Sequence, residues 1–338
     1  MTNAKGRPIT LSVGIPTLNQ ADYLEQTIES LLKQTRPPDE ILISDHFSTD
    51  RTPEIIRKYA GRVRAVQPPP ESNFTGQLNF TLSSLTGDWL TLLSSDDIAR
   101  PRYCEVLARG AALRDDAVLV RAGWENIDPD GRPIGTNYML SVPRVEMPPK
   151  TLTSQRNGPK VSFAAFAVSR EAYVKCGPIL PAMESLSDWA LFVQLAPFGP
   201  FVYEHELISG YRIGHDGDKF RRRLAMWIRD ELRMFSQVIP LAAVRASLAE
   251  TAWIDSACRA NFRRYLVAAS KAFGTAERAD IVPIFTEWAA KVGEQDLLAR
   301  FQRGESIATP ISLVGRAKAL IRPVAQRLAA SFEKKAGR

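Results

Sequence analysis

The fold is decided by residues 12–52, which read SVGIPTLNQADYLEQTIESLLKQTRPPDEILISDHFSTDRT. The apolar run 11–15 predicts a first β-strand, and a polar turn follows it. Four apolar residues then recur at the spacing of a helix: Leu24, Ile28, Leu31 and Leu32. We predict a helix there with Asn19 as its N-cap, and a second strand over the apolar run 40–44.

Two short acidic clusters follow predicted strands. Asp45 comes directly after the second strand, and the pair Asp96–Asp97 follows the apolar run Trp89–Leu93. Carboxylates at the carboxyl ends of parallel strands point into the crevice where open α/β sheets bind ligands. Adjacent acids repel each other unless something positive lies beside them, usually a divalent cation that carries phosphates.

Strands and helices continue to alternate between these clusters. A helix begins near Thr52, a short strand covers 63–66, and a further helix covers 77–85. This alternation predicts the α/β class, with a mostly parallel, Rossmann-like sheet that has helices on both faces. The segment 128–160 is rich in proline, glycine and charge, which is typical of a long loop that forms a lid or binds a partner.

The remainder of the chain reads differently. From about residue 220 alanine, leucine and arginine dominate, so the prediction is one domain at 8–220 and a helical C-terminal extension at 221–338. The N-terminus lacks the pattern of a secretion signal and no apolar run is long enough to span a membrane, so a cytoplasmic location is expected. Three widely spaced cysteines are expected to be buried thiols: Cys104, Cys176 and Cys258.

The net charge of +7 favours an anionic partner. Phosphorylated substrates, acidic lipids and nucleic acid all carry negative charge. Nucleic acid is not expected as a partner, because aromatic residues are not interleaved with Arg and Lys in any stripe of the sequence.

Residues 12–52 resemble the opening of the family 2 glycosyltransferases, which have the GT-A fold. The resemblance continues through SNFTGQLNFTLSSLTGDWLTLLSSDDIARP at 72–101, where that family has an Asn/Gly segment, a G-D/E-W/Y strand and the DXD motif. It extends to LSDWALFVQLA at 186–196, which is similar to the E-D-W helix start of the family. Several motifs in the same order are more specific than any single one.

The resemblance implies a nucleotide-sugar pocket. In the family, the turn after the first strand and the acid after the second hold the base and ribose, and Pro16, Thr17, Asn19 and Asp45 match these positions. A helix cap alone explains Asn19, whereas Asp45 is favoured as a site residue. His46 stands where the family commonly has a second Asp, and an imidazole can stack or donate where a carboxylate only accepts.

The resemblance also implies a divalent cation, Mg²⁺ or Mn²⁺. The DXD triplet corresponds to Ser94-Ser95-Asp96, so Asp96 is expected to bind the metal and Ser95 to lie at the donor. Asp97 is expected to orient the site or contact the acceptor. One carboxylate suffices for a hard cation when substrate phosphates complete its ligands, although a plain strand-end turn explains the same pair.

Asp188 matches the residue that deprotonates the acceptor hydroxyl in the family. Ser187 replaces the preceding Glu of the family pattern, and Glu184 receives no role. An acid at a helix start is also an ordinary favourable charge, and the helix dipole there is expected to lower its pKa. The base would then depend on donor binding and desolvation.

Four further residues complete the predicted site. His215 in YRIGHDGD is a candidate metal or diphosphate ligand, although a lone histidine is equally well structural, and Arg212 could meet the same phosphates. Gly76 is expected to allow close approach of the donor, and Asn79 to contact sugar or phosphate, with turn chemistry as the alternative for both.

The last stretch of the chain predicts a basic amphipathic helix. Its apolar residues fall on one helical face: Leu313, Ala317, Leu320, Val324 and Leu328. Such a helix suits the anionic cytosolic face of a membrane, where lipid-linked acceptors reside, so a peripheral location there is one reading. Packing on the protein's own surface explains the same pattern and is slightly favoured.

The expected function is therefore metal-dependent, inverting transfer of a sugar from a nucleotide-diphosphate donor to the hydroxyl of a carbohydrate or lipid-linked acceptor, in polysaccharide or glycolipid assembly. A sugar-nucleotide-binding or scaffold protein that has lost activity is the alternative, because Ser94 and His46 depart from the family. A nucleotidyltransferase is less favoured, since residues 14–22 lack a Gly-rich, basic phosphate loop.

Overall fold

The computed structural model describes residues 1–2, 6–139, 144–158, 162–214 and 219–307. These residues form two compact units. The first contains the described residues up to 214 together with 233–251, and the second contains those of 219–232 and 252–307. The domain boundary at residue 220 stays a prediction, and the segment 233–251 packs with the first unit.

The first unit is built on one sheet, which has ten strands among the described residues. The strands are Leu11–Thr17 (β1), Glu40–Asp45 (β2), Arg64–Val66 (β3), Trp89–Leu92 (β4), Ile98–Ala99 (β5), Leu119–Ile127 (β6), Pro133–Tyr138 (β7), Val145–Glu146 (β8), Phe166–Ser169 (β9) and Phe201–Arg212 (β10). Their order is β3-β2-β1-β4-β9-β6-β10-β5, with β7 on β6 and β8 on β10. The predicted α/β class, a central sheet flanked by helices, is confirmed.

The first four strands pair in parallel, as expected from the strand–helix alternation. Beyond β4 the sheet is mixed, because β9 runs antiparallel between β4 and β6. The two long strands β6 and β10 are again parallel to each other. The regular α/β alternation is therefore confined to the N-terminal part, which carries the acidic clusters.

The α-helices among the described residues are Ala21–Leu32 (α1), Thr52–Lys58 (α2), Phe74–Ser84 (α3), Tyr103–Ala112 (α4), Lys150–Thr153 (α5), Arg170–Cys176 (α6), Ser187–Leu195 (α7), Lys219–Arg233 (α8), Ile239–Arg245 (α9), Ala252–Ala272 (α10), Thr275–Val292 (α11) and Gln295–Gln302 (α12). In α1 three residues of the predicted stripe, Leu24, Ile28 and Leu31, are fully inaccessible, and Leu32 is partly buried. They join one apolar cluster with β1, β2 and α4. Truncation of such a leucine to alanine costs about 2–5 kcal/mol, so this cluster fixes the strands whose ends form the site.

The segment 128–160 is more ordered than a long loop. Its described part contains β7, β8 and the short helix α5. Tyr138 in β7 stacks on Trp124 in β6, with ring centroids 4.6 Å apart. The pattern of proline, glycine and charge marked the turns of this segment and did not reveal its strands, since edge strands tolerate these residues.

The second unit is helical among its described residues. Aromatic side chains fill its core, with Phe262, Phe285, Trp288 and Phe301 inaccessible. Nearby, Arg278 is mostly buried and donates hydrogen bonds to backbone carbonyl groups. No described helix is long and apolar enough to cross a membrane. The amphipathic pattern at 313–328 lies outside the described residues.

Candidate active site

The carboxyl ends of β1, β2 and β4 meet at one edge of the sheet. Thr17 lies opposite Asp45 in the parallel register of β1 and β2. On the other side of β1, the Leu93 N–H donates to the carbonyl of Gly14, so β4 ends beside β1. The sheet therefore brings the first acidic cluster and the start of the second to the same edge, as the sequence predicted.

Asp45 is buried and organises the loop that follows β2. Its Oδ1 accepts hydrogen bonds from the hydroxyl and the backbone N–H of Ser48, at 2.5 and 3.2 Å. The His46 N–H donates to the carbonyl of Thr17, which ties the two strand ends together. The Thr17 hydroxyl is buried, and no described residue is its hydrogen-bond partner. A buried hydroxyl in this state suits a ligand that supplies the missing partner.

Asn19 does not cap α1, so that prediction is wrong. The residue before α1 is Gln20, and its side chain makes no capping hydrogen bond. Asn19 has a left-handed backbone, with φ of 52°, and its Oδ1 accepts from the Thr49 N–H at 2.8 Å. The N–H of Ala21 is satisfied instead by Asp50 across the crevice. Asn19 thus joins the turn after β1 to the loop after β2, beside Pro16 and Thr17.

The loop after β2 also carries two rings. Nε2 of His46 lies 3.3 Å from the carbonyl oxygen of Pro70, so the imidazole can donate there. Phe47 is 44% exposed and has a φ of 56°, a conformation that disfavours a bulky side chain. Sequence reasoning missed Phe47, although a bulky residue between His46 and Ser48 in a tight turn was a usable signal.

Gln77 was also missed, and it supports the strand ends from α3. Its buried side-chain NH₂ group donates to the carbonyl oxygens of Thr17 and Ser44, at 3.1 and 2.9 Å. These carbonyl groups end β1 and β2, where the ladder between the strands stops. One amide therefore fixes both walls of the crevice relative to α3.

The acidic pair forms a tight turn after β4. The Asp97 N–H donates to the carbonyl of Ser94, and the backbone carbonyls of Ser95 and Asp97 both lie within 2.9 Å of the Thr27 hydroxyl in α1. Asp97 is only 1% exposed, and its Oδ1 accepts from the Arg212 N–H at 2.8 Å. Burial, and next the charge of Asp96, raise the pKa of Asp97 well above its usual value. Asp96 itself remains partly exposed.

Arg212 fastens this turn to the rest of the unit. Its guanidinium donates to the carbonyl oxygens of Asp96, Asp128 and Pro129, and to Oε1 of Gln26. It also lies 4.6 Å from the ring centroid of Tyr23. With the residue 3% exposed and its donors directed at these groups, the geometry gives no support to its predicted contact with the donor phosphates.

The oxygen atoms at the turn suit a hard cation. Asp96 offers a partly exposed carboxylate, and Oδ2 of Asp97 is buried with no hydrogen-bond partner among the described residues. No cluster of three metal-binding side chains occurs in the described part of the chain, so phosphate oxygens would have to complete the coordination. His215, the other predicted ligand, lies outside the described residues.

Asp188 lies in the first turn of α7 and stays partly exposed. Burial raises its pKa to about 7, against the lowering effects of the Trp189 N–H and of Arg121. The backbone N–H groups at the helix start lower this pKa, as expected, but desolvation of the carboxylate outweighs them and the net shift is upward. A carboxylate of this pKa is well suited to accept a proton near neutral pH.

Helix α3 holds the segment that leads to Asp188. Nδ2 of Asn79 donates to the carbonyl of Ile179, and its Oδ1 accepts from the Ile179 N–H. The Thr75 hydroxyl lies 2.7 Å from the Ser187 hydroxyl, next to Asp188. Asn79 is thus engaged with protein backbone, and this geometry gives no support to its predicted contact with sugar or phosphate.

Gly76 belongs to the start of the same helix. Its N–H donates to Oδ1 of Asn73, the N-cap of α3. A Cβ at this glycine would lie 3.3 Å from that oxygen and from Cβ of Ser72. The absence of a side chain at Gly76 therefore leaves space for the Asn73 cap. The predicted role of Gly76 in admitting the donor stays a prediction.

These features agree with a known family. The model described as "Glycosyl transferase family 2" matches residues 12–176. Residues 12–176 therefore form a domain of glycosyl transferase family 2. The match includes Asp45 and the Asp96–Asp97 turn and ends before α7, so it does not extend to Asp188.

Curated relatives share the N-terminal part of the chain. Glycosyltransferase GlyG of Streptococcus pneumoniae serotype 4 is 29% identical over 124 residues, which is 36% of this chain and 41% of GlyG. Chondroitin synthase of Pasteurella multocida is 30% identical over 131 residues, which is 38% of this chain and 14% of that protein. The chain thus spans less than half the length of these relatives.

Solved structures support the fold over a longer range. The crystal structure of S. aureus TarS 1-349 has a TM-score of 0.52 and 15% identity, and covers 90% of this chain and 94% of that one. The same protein in complex with UDP-GlcNAc gives a TM-score of 0.51 at 14% identity, with the same coverage. At this identity the likeness shows a common fold alone.

Proposed function

We propose that the chain is a metal-dependent, inverting glycosyltransferase that moves a sugar from a nucleotide-diphosphate donor to an acceptor hydroxyl. The observation that carries this proposal is the position of Asp188. Helix α3 supports this proposal, because it contacts the strand ends through Gln77 and the residue before Asp188 through Thr75.

The proposed reaction is a single displacement. The Asp188 carboxylate accepts the proton of the acceptor hydroxyl, and the oxygen forms a bond to the anomeric carbon of the donor. The bond from that carbon to the phosphate oxygen breaks, and the nucleoside diphosphate leaves with the electron pair. Because attack and departure occur on opposite faces, the configuration inverts.

The protein residues have separate tasks in this proposal. Asp45, with Pro16, Thr17, Asn19 and His46 beside it, would hold the base and ribose. Asp96 would hold Mg²⁺ or Mn²⁺ with the donor phosphates, and such a cation stabilises the charge of the departing diphosphate. Asp97 and Arg212 would keep the turn in place.

A carbohydrate or lipid-linked acceptor is proposed, in polysaccharide assembly on the cytosolic side of a membrane. One relative is a chondroitin synthase by name, and a structural neighbour binds UDP-GlcNAc. The sugar, the base and the acceptor of this chain are not implied by either.

Calorimetric titration tests the proposal. Purified protein is titrated with UDP-, GDP- and dTDP-linked sugars, with and without Mn²⁺. We expect metal-dependent binding of one nucleotide class, lost in Asp96→Ala and kept in Asp280→Ala, an exposed acid of α11 that serves as a matched control. Release of sugar and nucleoside diphosphate, with water as acceptor, then reports catalysis without knowledge of the natural acceptor. Folded protein that binds none of these donors would overturn the proposal.

A further inference from the structure

The connection between α6 and α7 leads to the proposed base and is ordered by side chains of α3. It covers 177–186, and these described residues form neither helix nor strand. Nδ2 of Asn73 donates to the carbonyl oxygen of Pro181 at 2.9 Å. Asn79 bonds to both backbone groups of Ile179. Side chains of one helix thus satisfy backbone groups that have no place in a ladder.

Thr75 of the same helix contacts the end of this connection. Its side chain is 0% exposed, and its hydroxyl donates to the carbonyl oxygen of Met183 at 2.6 Å. The buried Ser187 hydroxyl lies 2.7 Å from the Thr75 hydroxyl. A hydroxyl has one proton, and Thr75 gives its proton to Met183. Ser187 is therefore the donor in the second hydrogen bond, and Thr75 is its acceptor.

This second hydrogen bond anchors the first turn of α7. The residue before α7 is Leu186, whose side chain cannot accept a capping hydrogen bond. Oδ1 of Asp188 accepts the N–H of Trp189 at 2.7 Å, so the carboxylate is bound to the backbone of its own turn. The position of the first turn therefore determines where the proposed base lies.

Apolar packing anchors the remainder of α7. The ring of Trp189 is fully buried, and its centroid lies 5.9 Å from that of Phe235. Such packing is not directional and tolerates small rotations of a helix. A hydrogen bond depends steeply on distance and angle, so the contact between Thr75 and Ser187 restricts the rotation that would displace Asp188.

Helix α3 also contacts the crevice. Gln77, two residues after Thr75, donates to the carbonyl oxygens that end β1 and β2. We propose that Thr75 is a positioning residue of the transfer reaction, whose hydroxyl holds the Asp188 carboxylate in place through Ser187. This inference rests on the proposed function. Loss of the hydroxyl would leave the base ionisable and displaced from the acceptor oxygen.

Three substitutions isolate the hydrogen bond. Thr75→Val keeps the shape of the side chain and removes the hydroxyl, whereas Thr75→Ser keeps the hydroxyl. Ser187→Ala removes the second hydrogen bond alone, because Thr75 still donates to Met183. Ser187→Ala should therefore be the milder change for folding, since Thr75→Val leaves two buried polar groups without their partner.

Thr81 supplies a matched control in the same helix. It is also 0% exposed, and its hydroxyl donates to the carbonyl oxygen of Gln77 at 2.7 Å, one turn earlier. Thr81→Val removes a buried hydroxyl that does not bond to α7. It separates a loss of stability from a displacement of the base.

Donor hydrolysis and donor binding are measured for each variant in the full chain. We expect Thr75→Val and Ser187→Ala each to lower kcat at least about tenfold, because a misplaced catalytic group loses rate steeply. Calorimetry should give the wild-type donor Kd for both. The rate should fall equally on both sides of neutral pH, since the base is displaced and not neutralised. Thr75→Ser and Thr81→Val should keep the wild-type kcat.

The double variant Thr75→Val, Ser187→Ala adds a second criterion. It should lose no more activity than Thr75→Val alone, because both changes remove the same hydrogen bond. Amide hydrogen exchange, measured without donor, should be faster in the first turn of α7 in Thr75→Val and Ser187→Ala. The exchange of that turn should stay at the wild-type rate in Thr81→Val.

An unchanged kcat in folded Ser187→Ala would overturn the inference, and so would an equal loss of kcat in Thr81→Val. If Thr75→Val does not fold, Ser187→Ala decides the outcome alone. Failure of the proposed function looks different. In that case the wild type hydrolyses no donor, while hydrogen exchange at the start of α7 still responds to Ser187→Ala.

Discussion

Burial raises the pKa of both Asp97 and Asp188, yet the surroundings of the two side chains differ. Asp97 is enclosed, accepts the Arg212 N–H and has a second acid beside it. Asp188 is partly exposed, accepts the N–H of the next residue and has a buried cation nearby. The direction of a pKa shift therefore does not by itself identify the proposed base, whereas exposure to solvent distinguishes Asp188 from Asp97.

The largest effect on this comparison is expected when the proposed base, Asp188, is neutralised. Asp188→Asn should reduce transfer or donor hydrolysis by about 10²–10⁴-fold, because a general base contributes that much, and should leave the donor Kd nearly unchanged. Steady-state rates and calorimetry measure the two effects. Glu184→Gln, four residues earlier, is the control and should stay near wild type; an equal loss there would remove the case for Asp188.

The pH dependence gives the next largest effect. With a pKa of about 7 for Asp188, the rate should fall about tenfold per pH unit below neutrality and level off above it. The stability has the opposite sign. Since the folded-state pKa is raised from 3.8, the contribution of Asp188 to stability is present below about pH 4 and is lost as pH rises to about 7.

Denaturation of Asp188→Asn at pH 5 and pH 8 checks that sign. Relative to the wild type, the variant should gain free energy of unfolding at the higher pH, because the asparagine is never ionised. A difference that is constant between the two pH values would show that the carboxyl group titrates normally.

Asp97 should behave as a structural acid. Asp97→Ala leaves the buried Arg212 N–H without its acceptor and should lower the free energy of unfolding by about 1–3 kcal/mol. Asp97→Asn retains an acceptor oxygen and should be the milder change. Urea titrations compare the two, and equal destabilisation by both would mean that the charge, and not the hydrogen bond, holds the turn.

Asn79 offers the smallest and most specific test. Asn79→Ala removes two hydrogen bonds to the backbone of Ile179 and should lower the free energy of unfolding by roughly 1–2 kcal/mol. The segment before Asp188 should loosen, so kcat falls while the donor Kd is kept. A weakened donor Kd with unchanged kcat would instead restore the predicted contact between Asn79 and the donor.

The sequence predicted those parts of the fold that depend on local pattern. Apolar runs marked β1, β2 and β4, and helical spacing marked α1, because burial of one face imposes these periods. Asp45 and the Asp96–Asp97 pair were placed at one edge of the sheet because each follows an apolar run that forms a strand. The antiparallel direction of β9 was not predicted, since its partners β4 and β6 are determined by sheet topology and not by its own residues.

The roles of single polar residues were harder to predict. Asn79 bonds to a residue 100 positions away, and Arg212 to one 186 positions away. No local pattern specifies such partners. Arg121 was overlooked for a related reason: in the apolar run AVLVRAGW a charge reads as a surface position, and only the aromatic rings from α7 and β10 show that it is buried.

The backbone of Phe47 has one more consequence, for directed evolution. Glycine adopts its φ of 56° freely, asparagine and aspartate adopt it with less strain than other residues, and β-branched residues adopt it poorly. A library randomised at position 47 and selected for folding alone should thus return glycine, asparagine and aspartate. If selection for donor use instead retains an aromatic ring at position 47, the ring is needed for donor binding although its backbone conformation disfavours it. Position 47 would then distinguish the requirements of folding from those of donor binding.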